Sequence, residues 1–122
     1  MQRFRFRRLV ALALDSIPEE LANRMENVEI IARSRPTPEE LHAAGIGPHG
    51  LLLGLYQGQP LTVRSSYYGS TLPDRIFIFQ EPIEAVCRDD EEVVRQIRKT
   101  VLHEIAHHFG IDDDRLHEIG KY

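Results

Sequence analysis

The chain has 122 residues, 42% of them hydrophobic and 28% charged, the size and make-up of one domain with a single core. Its net charge of -4 excludes a broad phosphate-binding surface or a general attraction to anionic membrane, so neither nucleic acid nor membrane is expected as a partner. One cysteine, Cys87, excludes an intrachain disulfide framework and a multi-cysteine zinc cluster, and suits a reducing, cytoplasmic location.

Residues 4–15 carry Phe6, Leu9, Val10, Ala13 and Leu14 at three- and four-residue steps, which predicts a helix. The basic opening imitates a signal peptide, but the apolar run 9–14 is shorter than an export core needs, so residues 1–15 are read as an N-terminal helical arm. Arg3, Arg5, Arg7 and Arg8 form a local basic patch, read as a solvated, frayed helix start. Ser16 is placed to cap a second short helix through residue 25, with Glu19 and Glu20 at its positive end. Residues 28–32 are β-branched enough for a first strand, and Thr37 can cap a brief helix that Gly45 ends. Gly45, Gly47 and Gly50 formally spell G-x-G-x-x-G, the phosphate-cradling pattern. That motif needs a strand before it and a helix after it, and here the order is reversed, so the segment is read as a loop.

Residues 51–56 read as a buried strand and 61–64 as a shorter one. Between them and the next strand lies a polar loop whose Tyr67 and Tyr68 are expected to cover a sheet edge. Arg75, Ile76, Phe77, Ile78 and Phe79 give the clearest strand signal, stopped by Pro82. This segment is expected to lie as an edge strand beside the last helix, offering its backbone to an extended peptide. That helix runs from Asp89 or Asp90 to about Phe109, opened by acids that suit its N-terminal dipole. At 100 degrees per residue Val93, Val94, Ile97, Val101, Leu102, Ile105 and Phe109 share one arc, and His103 and His107 fall outside it with Gln96 and Thr100. The expected architecture is α+β: a small mixed sheet backed by the last helix and the N-terminal helices.

The last helix ends in TVLHEIAHHFGIDDD. His103, Glu104 and His107 spell H-E-x-x-H, and residues four apart on a helix share a face, so both imidazoles can reach one ion. Glu104, one position on, cannot easily ligate beside its neighbour but can hold and deprotonate a water. Gly110 can reverse the chain, after which Asp112, Asp113 or Asp114 can supply a third ligand while another caps a last short helix. Zinc, one ion per chain, suits imidazoles with a carboxylate better than the hard cations do.

With these residues the sequence resembles the zincin metallopeptidases, and more closely the small bacterial zincin-like proteins reduced to little beyond an active-site helix and sheet. The resemblance is carried by LLLGLYQGQPL, by LPDRIFIFQEPI and above all by VLHEIAHHFGIDDDRL. It implies a single minimal zincin-like domain over residues 1–122, with His103, His107 and Asp113 as metal ligands and Glu104 as general base. Asp113 stands where the metzincin pattern has a third histidine. Met1 and Met25 both precede the motif, so no methionine turn underlies the metal, and eight residues after Asp114 leave no second subdomain, which implies a shallow, open cleft.

The function these readings imply is zinc-dependent peptide-bond hydrolysis on a peptide or protein substrate. Two alternatives share the residues. An RNA-processing endonuclease has a similar H-x-x-x-H spacing but lacks the glutamate next to the first histidine. A non-catalytic metal-stabilised interaction or regulatory module would close the ligand set with a fourth side chain, for which His108, His117, Glu118 and Tyr122 are near enough in sequence.

Overall fold

A computed structural model gives the fold; it describes residues 1–58, 72–111, 114, 115 and 118. Helix α1 spans Arg3–Asp15, a helical turn α2 spans Glu19–Ala22 and runs into a 3-10 turn, and β1 spans Val28–Arg33. Then come α3 at Pro38–Ala43, β2 at Gly54–Gln57, β3 at Asp74–Phe79, α4 at Gln80–Val86 and α5 at Asp90–Phe109. The strands make one mixed sheet in the order β1-β3-β2, with β1 parallel and β2 antiparallel to β3. The expected α+β architecture is what the chain adopts. The short strand read at 61–64 and Tyr67 and Tyr68 of the loop after it lie outside the described residues.

The core forms where α1 and α5 pack together on one face of this sheet. Phe6, Ala13, Leu21, Ile76, Ile78, Ile97, Val101, Leu102 and Ile105 are fully enclosed there. Helix α1 packs into the core, as expected of a helix that backs the sheet. Its start is not frayed: the Arg3 guanidinium donates to Gln80 Oε1 at 2.7 Å, to the Ala32 carbonyl at 3.0 Å and to Ser34 Oγ at 2.7 Å. A basic residue read as solvated becomes a stitch because its long stem reaches carbonyls at the end of β1. Ser16 does not cap α2; its hydroxyl donates to the Ala13 carbonyl at 2.8 Å, closing the end of α1.

The opposite sheet face is covered differently. Phe77 and Phe79 lie on it with the Arg33 guanidinium 4.8 and 5.3 Å from their ring centroids. Arg33 in turn forms a two-point ion pair with Glu40 at 2.8 and 3.0 Å. Glu40 also closes a capping box with Thr37, as expected for α3. The Arg33 hydrogen bonds hold the Glu40 carboxyl below its usual range, so its stabilising contribution is present above about pH 4 and is lost as pH falls through the depressed value. Glutamine can still close the box, so Glu40→Gln isolates the charge. It should cost about 0.5–1 kcal/mol at pH 7 in urea unfolding, and the difference from wild type should shrink as pH falls below about 4.

Two strand expectations need correction. Residues 75–79 are not at an edge: β3 is the central strand, with Ile76, Phe77, Ile78 and Phe79 all buried. A strand that is apolar on both faces is what a doubly flanked strand requires, and an edge strand is usually shorter and more polar. The peptide cradle assigned to Arg75, Ile76, Phe77, Ile78 and Phe79 is removed with it, since β1 and β2 occupy both of its sides. The strand read at 51–56 begins later, at Gly54. Leu51 is 53% exposed and Leu52 lines a cleft, so part of that apolar run faces outward instead of into the core. Helix α4 was not anticipated; Pro82, read as a strand stop, sits in its first turn, where a missing N–H costs nothing.

Candidate active site

Helix α5 forms as its caps direct. Asp89 Oδ1 accepts the Glu92 N–H at 2.9 Å, and Gly110 ends the helix in the left-handed conformation at φ 70°. The Ile111 N–H then reaches back to the Ala106 carbonyl at 2.8 Å, turning the chain under the last helical turn. Val93, Ile97, Val101, Leu102 and Ile105 are buried as the apolar arc predicts, and His103 and His107 are exposed, one turn apart. Two members of the arc analysis fall elsewhere. Thr100, grouped with the histidines, is buried under β2, and Phe109, placed in the core, is 39% exposed with Arg24 over its ring.

Glu104 lies between the two histidines and is half-buried. Its Oε1 accepts the backbone N–H of Tyr56 at 2.9 Å. The direction of that amide follows from the ladder. Phe79 N–H bonds the Leu53 carbonyl at 2.9 Å, and in an antiparallel pair alternate residues face the partner, so Leu53, Leu55 and Gln57 turn toward β3 while Gly54 and Tyr56 turn outward. Among the described residues, the edge strand beside the H-E-x-x-H helix is β2. Burial pushes the Glu104 carboxyl up from its ordinary value, opposed by the Tyr56 N–H and then by His107 and His103.

A cleft of about 470 Å³ opens here. Glu104, His107 and His108 line it together with Tyr56, and the half-buried Ile46, Leu52 and Leu55 line it with them. His108 is stacked on the Tyr56 ring, centroids 4.0 Å apart and planes 11° from parallel. Its Nε2 lies 3.8 Å from Asp74 Oδ2, which also accepts the Tyr56 hydroxyl at 2.6 Å. Tyr56 and Asp74 were not anticipated. No motif carries them, because Tyr56 meets Glu104, and Asp74 meets Tyr56, only once β2 and β3 are paired.

Residues 25–122 match the family model of the zincin-like metallopeptidases. The chain belongs to that family. Zinc is in general the cofactor that zincin-like membership implies, and the residues present suit it. His103 and His107 are exposed on one helix face, and neither imidazole makes a hydrogen bond or ion pair with another described residue. Among the described residues no group of three histidine, cysteine or acidic side chains converges at metal-binding distance. Asp113, the expected third ligand, lies outside the described residues, as do Asp112 and His117. No curated protein matches the zincin-like chain. Among solved structures it is similar to a conserved hypothetical protein from T. thermophilus, at 23% identity over 89% of this chain and 94% of that chain, with a TM-score of 0.56. That likeness is one of fold. No helix among the described residues is long and apolar enough to cross a membrane.

Proposed function

We propose that this zincin-like protein is a zinc-dependent peptidase of the cytoplasm, taking one zinc ion per chain through His103, His107 and Asp113. The observation that carries the reading is the hydrogen bond from the outward-facing Tyr56 N–H to Glu104. It sets a proton acceptor at the rim of an edge strand, beside two exposed histidines on the same helix turn. An extended peptide can pair with such an edge by backbone hydrogen bonds. The outward side of Gly54 is then the pairing surface, and the aliphatic end of the cleft at Ile46, Leu52 and Leu55 receives a side chain of the peptide.

Zinc, when bound, supplies Lewis acidity and makes water a usable nucleophile near neutral pH. Glu104 takes a proton from that water and returns it to the departing amine. Its half-buried setting raises its proton affinity, which suits an acceptor that must also give the proton back. An RNA substrate is disfavoured by the net charge of -4 and by the aliphatic cleft wall.

The test is Glu104→Gln on zinc-loaded protein against a peptide library. The amide oxygen still accepts the Tyr56 N–H, so shape is kept while the proton acceptor is lost. Zinc affinity should be unchanged by calorimetry and cleavage should fall about 10²- to 10⁴-fold. Robust cleavage by the variant would show that the mechanism is misassigned.

A further inference from the structure

Asp74 opens the central strand and is only 4% exposed. Its backbone is fixed from both directions: its N–H bonds the Asn27 carbonyl at 3.0 Å, and it pairs in register with Val28 of β1. A carboxylate in such a place is costly to bury, and an apolar residue would suit a strand start between helices and sheet better. Its contacts with other described residues lie toward the cleft. It accepts the Tyr56 phenol at 2.6 Å and has His108 Nε2 at 3.8 Å.

Tyr56 is thereby held at several points. Its phenol is on Asp74, its ring is stacked on His108, and its Cα is paired with Ile76. His108 is itself braced edge-on by Phe109, with ring centroids 4.9 Å apart. The strand that carries Tyr56 has four residues and only one described neighbour, so its own ladder gives it little rigidity. The amide that meets Glu104 at 2.9 Å is on the outer side of that strand. Its position therefore depends on what holds the Tyr56 side chain.

We propose that Asp74 is a positioning residue for Glu104, acting through Tyr56: the carboxylate fixes the phenol, the phenol fixes the strand edge, and the strand edge fixes the base. Asp74 does not reach the reacting atoms. Its role is to keep the Tyr56 N–H aimed at Glu104, so that the base holds one rotamer at the rim of the cleft instead of several. The same carboxylate sets His108 against the ring and so draws the last turn of α5 to the sheet. The inference rests on Glu104 as the proton-transfer group of the proposed site, but the hydrogen bond itself can be measured without any turnover.

The experiment is residue-resolved amide hydrogen exchange by NMR on the full chain. In wild type the Tyr56 amide should be protected although it faces outward. In Tyr56→Phe, which keeps the ring and its stacking, the amide at position 56 should exchange at least about tenfold faster, while Leu55 and Phe77, whose amides face across the ladder, stay within about threefold. Asp74→Asn keeps an oxygen that can accept the phenol and should retain protection within about threefold of wild type. Equal acceleration at positions 55, 56 and 77 would show a merely structural role for the phenol and overturn the proposal. So would an unchanged position-56 amide in Tyr56→Phe, or an Asp74→Asn protein no better protected than Tyr56→Phe. None of these outcomes depends on peptidase activity, so failure of the cleavage reading and failure of this one are distinguishable.

Discussion

Replacing Gly54 by alanine is expected to destabilise the domain by about 1–3 kcal/mol and to remove most of the proposed peptidase activity, from one added methyl group. A β-carbon at this position would lie 2.5 Å from Thr100 Cγ2 and 3.1 Å from the Phe77 carbonyl oxygen. The carbonyl belongs to the central strand and cannot retreat. Thr100 is buried on α5 one turn before Glu104, so the conflict is resolved only by moving β2 away from the helix. Tyr56 lies two residues along the same strand and would move with it, taking its N–H from Glu104. Urea unfolding measures the stability loss, and exchange at the Tyr56 amide reports the displaced edge. Thr100→Ser removes the clashing methyl alone, so the double variant should recover part of the loss, with the carbonyl contact accounting for the remainder. If Gly54→Ala were as stable as wild type with the Tyr56 amide still protected, the close strand–helix contact would not be what sets the site.

How far this arrangement was legible beforehand depends on what each feature needs. Helix α5 could be read because its information is local: Asp89 caps it, a 3.6-residue apolar period runs along it and Gly110 ends it. The position of His103 and His107 outside the apolar arc followed from the same period. Thr100 was misplaced because the arc locates residues relative to the main core and says nothing of a strand that packs on the helix's flank. Gly54, which makes that packing possible, gave no signal beyond an interruption in LLLGLY.

The sheet was less legible. Strand propensity reports that residues 75–79 suit an extended, buried setting, but which strands flank them is decided by pairings distant in sequence. The apolar content of Ile76, Phe77, Ile78 and Phe79 argued for a central place, and proximity to the motif in sequence outweighed it wrongly. Leu51 and Leu52 misled in the opposite way. A cleft wall is written in the same residues as a core, so hydrophobicity alone extended β2 backward into the rim of the site. Asp74 and Tyr56 had no pattern at all, and His108 entered only as a candidate to close the ligand set, since a buried carboxylate has meaning only through the partners the fold brings to it.

The largest expected effect of substitution is on metal binding. The unmutated chain should bind one zinc ion, and His103→Ala with His107→Ala should abolish that binding while leaving the fold intact. Both side chains are exposed and outside the core, so the double replacement should change metal-free stability by no more than about 0.5 kcal/mol. At free zinc about a hundredfold above its Kd, wild type should gain about 2.7 kcal/mol of stability and the double variant none. The third ligand is decided by a ranking. Asp113→Ala should weaken zinc by more than the about 10- to 100-fold typical of losing a supporting contact, while Asp112→Ala and Asp114→Ala should change it little. Asp114 is exposed and is followed by Arg115, whose guanidinium pairs with Glu20 at 3.1 Å and with Glu118 at 3.1 Å, tying that stretch back to α2. The chain is thus turned by Gly110 and Ile111 on one side and tethered by Arg115 on the other, and in sequence Asp113 falls between those two anchors. Calorimetric titration of metal-free protein reads wild type and every variant. Saturable binding that survived loss of both histidines would remove the site, and a larger effect at Asp112 or Asp114 than at Asp113 would shift the ligand by one residue.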